Sequence, residues 1–408
     1  MPFGLLGKKL GHSYSPFLHE CLSGGSYDYE LFEKEENEVA DFVRHGDYAG
    51  MNVTIPYKQT VIPFMARLTP EAERIGAVNT VTRLPDGGLL GDNTDYFGFC
   101  YLLRRAGIEV GGKKVLVLGS GGASKTAVTV CRDQNAKEVV VISRAGENNY
   151  DNLSLHRDAA VIINATPVGM FPHNGVSPVD LAAFPQCEAV ADMIYNPAVT
   201  ELLRQAKARG CIAVNGLPML CAQAFRAAER FLDRTLDEEL IEKTIAATEW
   251  KMHSIVLIGM PGCGKSTAAK LLAERLGRKK LDTDEEIEKK LGQSIPSVFA
   301  ERGEGYFRDV ETEVCREVGK LSGAVIATGG GAVVREENVI ALKQNAVIVF
   351  LDRPLHALAT QGRPLSRNGK LEELYRQRLP IYKAVCDFTV QTHDDPTVTV
   401  KRILEVLK

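Results

Sequence analysis

The sequence predicts an α/β chain built on doubly wound parallel sheets, from three observations. Two strand–glycine-loop–helix units recur, at residues 113–130 (KKVLVLGSGGASKTAVTV) and 254–276 (SIVLIGMPGCGKSTAAKLLAERL). Other short runs of branched aliphatics alternate with helix-prone segments, the pattern of buried parallel strands. A charged, helix-prone stretch without a clear strand, residues 233–251, stands between the two units.

In chain order, a mixed region upstream of Gly111 carries strand candidates near residues 27–32 and 50–55. Beyond the first glycine loop come candidates at 138–143 (EVVVIS), 160–164 (AVIIN), 189–193 and 211–214, with a helix over 200–209. That alternation describes a doubly wound domain. After Gly216 the chain turns helical (MLCAQAFRAAERFL), and a boundary is expected near residues 248–253. Past the second loop, residues 324–328 and 346–351 are further buried strands.

The bulk numbers agree with more than one domain. The 408 residues suggest two or three units of roughly 150 each. Hydrophobic content of 45% and charged content of 25% are ordinary for a globular chain. The net charge of -3 gives no global attraction to nucleic acid or to an anionic membrane. The 9 cysteines include no C-x-x-C pair, so neither a disulfide framework nor a cysteine metal site is expected. Free thiols fit a reducing cytoplasm. No signal pattern and no run of about 18 apolar residues occurs, so no membrane partner is expected.

Residues 259–267 (GMPGCGKST) form a full Walker A match. The backbone amides of Gly262, Cys263, Gly264, Lys265, Ser266 and Thr267 can wrap a triphosphate. Lys265 reaches the terminal phosphates, and Ser266 supplies an oxygen to Mg²⁺. The Cys263 side chain is a small filler. Asp282 and Asp284 follow a strand-like segment. They suit a magnesium site and a substrate hydroxyl, or equally a helix cap with acidic residues favoured by the dipole. Arg308 and the run Gly329, Gly330 and Gly331 come next. A triple glycine after a strand is costly unless a ligand approaches the backbone.

Through the motifs GMPGCGKS, LDTD, SIPSVFAERGEGYFRDVE, TGGGAV, GRPLS and RLPIYKAVCDF, residues 254–408 resemble shikimate kinase. The resemblance implies ATP and Mg²⁺, with Asp284 as base toward the reacting hydroxyl of shikimate and Asp282 near the metal. It implies that Arg308 and Arg378 hold the substrate carboxylate and that Gly329 to Gly331 line the same pocket. Arg363 matches a lid arginine that meets phosphates, although the preceding segment (LHALATQGRPLS) is short for that lid. A gluconate- or nucleotide-type kinase is the rival, disfavoured by Arg308, the glycine run and Arg378 together.

The first loop, with Gly119, Ser120, Gly121, Gly122 and Ala123, resembles a dinucleotide fingerprint in which Ser124 replaces the final Gly or Ala. The next strand ends in Ser143 and Arg144 without the acid that NAD binders use. That suits the extra phosphate of NADP, with Lys125 in support, while a strand-end surface charge is the plain alternative for Arg144. Four upstream motifs (GHSYSP, NVTIPYK, GAVNT and GDNTD) are each compatible with turns. Together they supply a lysine, an aspartate, amides and hydroxyls.

Those motifs, with NATPVGM, DMIYNP and NGLPMLCAQA, make residues 3–235 similar to shikimate dehydrogenase. The resemblance implies Lys58 and Asp95 as the catalytic pair. It implies substrate contacts from Ser13, Ser15, Thr54, Asn79, Asp95 and Gln223, with Tyr195 nearby. Ser143, Arg144, Thr166, Met193 and Gly216 then frame NADP(H) with the loop. Glu20 after His19, and Pro218, depart from the family pattern at positions peripheral to the chemistry. An oxidative, NAD-using quinate/shikimate dehydrogenase is the rival, as is a chain in which one half is only a scaffold.

The implied organisation has three parts. Residues 1–96, completed by 217–250, form a substrate-binding domain, and 97–216 form a Rossmann NADP domain. Residues 252–408 form a P-loop kinase domain of the nucleoside-monophosphate-kinase type. The implied substrates are 3-dehydroshikimate and shikimate.

Overall fold

A computed structural model describes residues 1–11, 13–358 and 370–407. By their contacts the residues divide into two compact units, Met1–Thr248 and Glu249–Lys408.

The first unit opens with β1 (Phe3–Gly7), α1 (Ser15–Ser23), β2 (Tyr29–Glu33), α2 (Glu36–His45), β3 (Gly50–Val53), β4 (Arg67–Leu68), α3 (Pro70–Ile75), β5 (Thr80–Arg83) and β6 (Leu89–Asp92). These strands form a mixed sheet in the order β2-β1-β3-β5-β6-β4. β1 runs parallel to β2 and β3, whereas β5 is antiparallel to both β3 and β6. Leu6, Met51, Val53 and Val81 bury its core.

The chain then adds α4 (Asp95–Ala106), β7 (Lys114–Leu118), α5 (Gly122–Asp133), β8 (Glu138–Ile142), β9 (Val161–Asn164), β10 (Ala189–Asp192), α6 (Glu201–Ala208), β11 (Ile212–Val214), α7 (Leu217–Leu232) and α8 (Glu239–Met252). Its sheet is wholly parallel in the order β11-β10-β9-β7-β8. Strand order reverses at β7, where the glycine loop leaves the sheet. Ligands of open α/β sheets sit at such a crevice. α4 and α7 pack tightly because residue 98 is glycine: a Cβ there would lie 2.6 Å from the Met219 carbonyl and 3.0 Å from Gln223 Cβ.

The second unit contains β12 (Ser254–Ile258), α9 (Lys265–Leu276), β13 (Lys280–Asp282), α10 (Thr283–Leu291), α11 (Ile295–Gly319), β14 (Val325–Ala327), α12 (Glu336–Leu342), β15 (Ala346–Asp352), α13 (Lys370–Val385), β16 (Phe388–Gln391) and α14 (Pro396–Val406). Its parallel sheet runs β13-β14-β12-β15-β16. The inner strands are buried on both faces, as parallel strands between helices must be. α11 is broken at Gly303, with φ 79° and ψ 174°, one turn before Arg308.

The expected strands at 138–143, 160–164, 189–193, 211–214, 324–328 and 346–351 all occur, with ends moved by a residue or two. The candidate at 27–32 begins later, at Tyr29, and that at 50–55 ends sooner, at Val53. Strands β1, β4, β5, β6 and β16 had no counterpart in the sequence reading. β6 contains Gly91 and Asp92, residue types that read as turn formers, and β5 begins inside the GAVNT motif, itself compatible with a turn. No helix among the described residues is long and apolar enough to cross a membrane.

Candidate active sites

A cavity of about 510 Å³ in the first unit is lined by Ser13, Ser15, Thr54, Lys58, Asn79, Asp95, Tyr195 and Gln223. Every substrate contact expected for the dehydrogenase half therefore meets in one concavity. His12, within the GHSYSP motif, lies outside the described residues.

Lys58 follows the turn after β3, where its carbonyl accepts from the Val78 amide at 2.8 Å. The preceding Tyr57 is buried and its hydroxyl donates to the Lys34 carbonyl at 2.6 Å, which anchors the turn. Asp95 is the first residue of α4, where the helix dipole favours a carboxylate. Lys58 Nζ donates to Asp95 Oδ2 at 2.5 Å, with the side chains only 23% and 14% exposed. Asn79 Oδ1 accepts from the Thr94 amide at 2.7 Å and from the hydroxyls of Thr80 and Thr94. That leaves the Asn79 amide nitrogen as the donor for a ligand. Gln223 Nε2 donates to the Leu220 carbonyl, which leaves its Oε1 as an acceptor.

Ala123, Met193 and Gly216 line the same cavity, so the substrate groups adjoin part of the expected cofactor set. Gly119 adopts φ +105°, and a Cβ there would lie 3.0 Å from the Ala165 carbonyl. Only glycine fits that turn. Ser120, Gly121 and Gly122 are exposed, with open space around both glycines, so the first amides of α5 face outward. Such a helix start accommodates a diphosphate. Ser143 and Arg144 follow β8, the neighbour of β7. Arg144 is exposed and makes no ion pair among the described residues, so its charge suits a 2′-phosphate. Lys125 is exposed on the same helix. Thr166 donates to Asn164 Oδ1 at 2.7 Å, and Asn164 Nδ2 donates to buried Asp192. Burial raises the Asp192 carboxyl to about 6.

The family departures lie off this site in different ways. Glu20 is exposed. Pro218 occupies the first turn of α7, where its missing N–H has no helical partner to lose. His19 itself is buried, stacked on Tyr29 and hydrogen-bonded to the Tyr27 hydroxyl at 2.7 Å.

In the second unit a cavity of about 490 Å³ joins Gly262, Gly264, Lys265, Ser266 and Thr267 to Asp282, Asp284, Arg308, Gly329, Gly330, Gly331 and Arg378. Gly259, Gly262 and Gly264 all have positive φ, as the wrap of the loop requires. Lys265 Nζ lies across the loop, 3.0 Å from the carbonyls of both Gly259 and Met260. Cys263 is the exception among the six loop residues expected to hold phosphate. Its thiol is 1% exposed, its amide donates to the Met260 carbonyl, and it does not line the cavity. Its contact is with the loop itself, as a small filler's would be.

Ser266 Oγ donates to Asp282 Oδ2 at 2.7 Å, and Asp282 Oδ1 caps α10 by accepting from the Asp284 amide. The cap and magnesium readings of Asp282 are thus compatible. Ser266 and Asp282 offer two hard oxygens, which fits Mg²⁺ completed by phosphates and water. Asp284 is pushed up to about 6, first by burial and then by the neighbouring Asp282 carboxylate.

The glycine run is explained by three separate contacts. A Cβ on Gly329 would lie 2.6 Å from Asp284 Oδ1, one on Gly330 2.7 Å from the Pro261 ring, and one on Gly331 2.5 Å from Arg308 Nη1. The run therefore touches the acid, the phosphate loop and the guanidinium in turn. Arg378 is 8% exposed, so its guanidinium belongs to the cavity and is not a surface charge of α13. Arg363 and its segment lie outside the described residues.

Glu311 also lines this cavity, although the sequence motif that contains it assigns it no role. It is 1% exposed and accepts from Arg308 Nη1 at 2.7 Å. Its spacing of three from Arg308 on a helix was the available signal. Thr283 was also missed; its hydroxyl accepts from the Gly329 amide at 2.9 Å.

A parallel sheet whose glycine loop adjoins a Lys–Asp cavity defines a dinucleotide-dependent oxidoreductase. A P-loop opening onto an acid and two arginines defines a phosphotransferase for a small carboxylate. Residues 5–81 match the family described as shikimate dehydrogenase substrate binding domain, and residues 261–408 match the family described as shikimate kinase. A shikimate dehydrogenase (NADP(+)) of Clostridium perfringens is 35% identical over 264 residues, covering 59% of this chain and 97% of that protein. The structure of a chorismate mutase/shikimate 5-dehydrogenase fusion protein from Clostridium acetobutylicum is similar with a TM-score of 0.57 and 37% identity, covering 60% of this chain and 96% of that one. Shikimate 5-dehydrogenase from Thermus thermophilus, solved with NADP(H) and shikimate, gives a TM-score of 0.55 and 32% identity over 60% of this chain and 99% of that one. The chain belongs to the shikimate dehydrogenase family, and its C-terminal part carries a shikimate kinase domain.

Proposed function

We propose that this chain catalyses two consecutive reactions: reduction of 3-dehydroshikimate to shikimate with NADPH, then phosphorylation of the new 3-hydroxyl with ATP. The observation that carries the reading is the pair of separate cavities. One gathers Lys58, Asp95 and six further polar groups beside a dinucleotide loop. The other joins a P-loop to Asp284, Arg308 and Arg378. The first reaction makes the hydroxyl that the second consumes.

NADPH, when bound, supplies the hydride that reduces the ketone. Lys58 stabilises the oxygen as it gains charge and donates a proton to it, while Asp95 orients the ammonium at 2.5 Å. Asn79, Ser13, Ser15, Thr54 and Gln223 hold the ring hydroxyls and carboxylate, with Tyr195 beside them. In the second site ATP supplies the phosphoryl group and Mg²⁺ neutralises its charge. Arg308 and Arg378 grip the substrate carboxylate with planar forks. Glu311 fixes Arg308 in place. Asp284, with its carboxyl near 6, accepts the hydroxyl proton. Lys265 holds the transferred phosphates, and Arg363 is assigned to the lid.

We assign residues 1–96 with 217–250 to substrate binding, 97–216 to NADP and 252–408 to the kinase. We assign the chain to the cytoplasm, and its 9 free thiols support a reducing compartment. Purified protein is expected to oxidise shikimate with NADP⁺ in preference to NAD⁺, and to release ADP only when shikimate is present. A preference for NAD⁺ would sink the cofactor assignment. Absence of shikimate-dependent ADP would leave the C-terminal half a scaffold.

A further inference from the structure

A third cavity, of about 780 Å³, lies in the first unit and shares no lining residue with the Lys58–Asp95 cavity. Its floor is apolar. Phe3 of β1 and Phe231 of α7 stack there with ring centroids 4.5 Å apart. Leu84, Pro85 and Leu90 add apolar lining. Its lining also carries four arginines, Arg83, Arg226, Arg230 and Arg234.

The four arginines differ in how their charge is met. Arg226 Nη1 donates to Glu229 Oε2 at 2.7 Å, and Arg230 Nε donates to Asp92 Oδ2 at 2.9 Å. Arg83 is half-buried and lies over the Tyr48 ring at 4.5 Å. Its Nε and Nη2 donate only to the backbone carbonyls of Tyr48 and Gly46, at 2.9 and 3.0 Å. No carboxylate among the described residues neutralises it. The Arg234 side chain makes no ion pair among the described residues either. Glu229 is already engaged twice, since its other oxygen accepts the Leu236 amide. The remaining carboxylate on the lining, Asp233, is exposed and pairs with none of the four.

Two uncompensated guanidinium groups in a concave site focus positive potential. Their planar forks suit phosphate or carboxylate oxygens, and the stacked aromatic floor suits a ring. We propose that this cavity binds a small ring-bearing molecule that carries a phosphate or carboxylate group. It is separate from the redox and phosphotransfer sites and depends on neither assignment. Arg230 joins it to Asp92, whose other oxygen accepts the Asn93 amide and the Thr69 hydroxyl, three residues before Asp95.

The test is isothermal titration of phenyl phosphate into the full chain, with NADP⁺, shikimate, ADP and Mg²⁺ at saturation so that both reaction sites are filled. Saturable binding is expected. Arg234→Ala, at an exposed position where folding is not at stake, should weaken it about ten-fold. Arg83→Gln should weaken it at least as much in protein of unchanged thermal stability. Benzyl alcohol, which has the ring without the charge, should show no saturable binding. The proposal is overturned if phenyl phosphate gives no saturable heat. It is equally overturned if both variants bind it as the parent does, or if benzyl alcohol binds as tightly.

Discussion

Lys58 and Asp284, the proton donor and acceptor of the proposed reactions, sit in opposite settings. Lys58 Nζ lies 2.5 Å from Asp95 Oδ2 in a largely enclosed ion pair. Asp284 must lose its proton to act, and burial opposes that. Lys58→Ala is expected to lower shikimate oxidation by about 10²–10⁴-fold while shikimate-dependent ADP release is unchanged. Asp284→Asn or Lys265→Ala should do the reverse, and loss of both activities in folded protein from any one of these changes would refute the two-site reading. Because the folded Asp284 carboxyl lies near 6 against an ordinary 3.8, kcat/KM for phosphotransfer should rise between about pH 5 and about pH 7.5. The same shift has a cost in stability. A carboxyl raised in the folded state binds its proton more tightly there, so the ionised form destabilises the fold above 6 and the penalty vanishes below the unfolded value. Asp284→Asn should therefore stabilise the second unit by on the order of 2 kcal/mol at neutral pH, and the gain should shrink on acidification. Thermal denaturation across that range checks it.

The elements carrying these residues were legible in the sequence to different degrees. The two glycine-loop units were plain, because a buried parallel strand, a loop of glycines and a helix must follow one another to bind phosphate. β5 and β6 were not, since the GAVNT motif and the Gly91–Asp92 pair read as turns although the antiparallel pairing puts Thr80, Gly91 and Asp92 in strands. β16 is half-exposed at a sheet edge, so its FTVQ run lacks a clean apolar signal. The pairing of Lys58 with Asp95, 37 residues apart, follows from family resemblance and not from spacing. Nor does spacing disclose why residue 98 is glycine. It lets α4 approach α7 and so brings Gln223 toward the cavity that Asp95 lines. Gly98→Ala would drive a Cβ against the Met219 carbonyl. It should cost about 1–3 kcal/mol in the first unit and reduce the redox rate without touching phosphotransfer. A variant as stable as the parent would show that the helices separate without strain.

At the scale of the whole molecule, each compact unit holds one of the two cavities proposed as reaction sites, and the two proposed reactions share shikimate. The fusion therefore makes a joint claim stronger than either family likeness alone: both cavities act on the same ring. Separate assays of the halves would leave that claim half tested, because a scaffold or an altered substrate in either unit would break the sequence of reactions. The direct measurement supplies purified full-length protein with 3-dehydroshikimate, NADPH, ATP and Mg²⁺ and follows NADPH oxidation, ADP and products together. Shikimate 3-phosphate should accumulate, with ADP release dependent on prior NADPH consumption. NADPH oxidation that ends in free shikimate with no ADP formed would contradict the account.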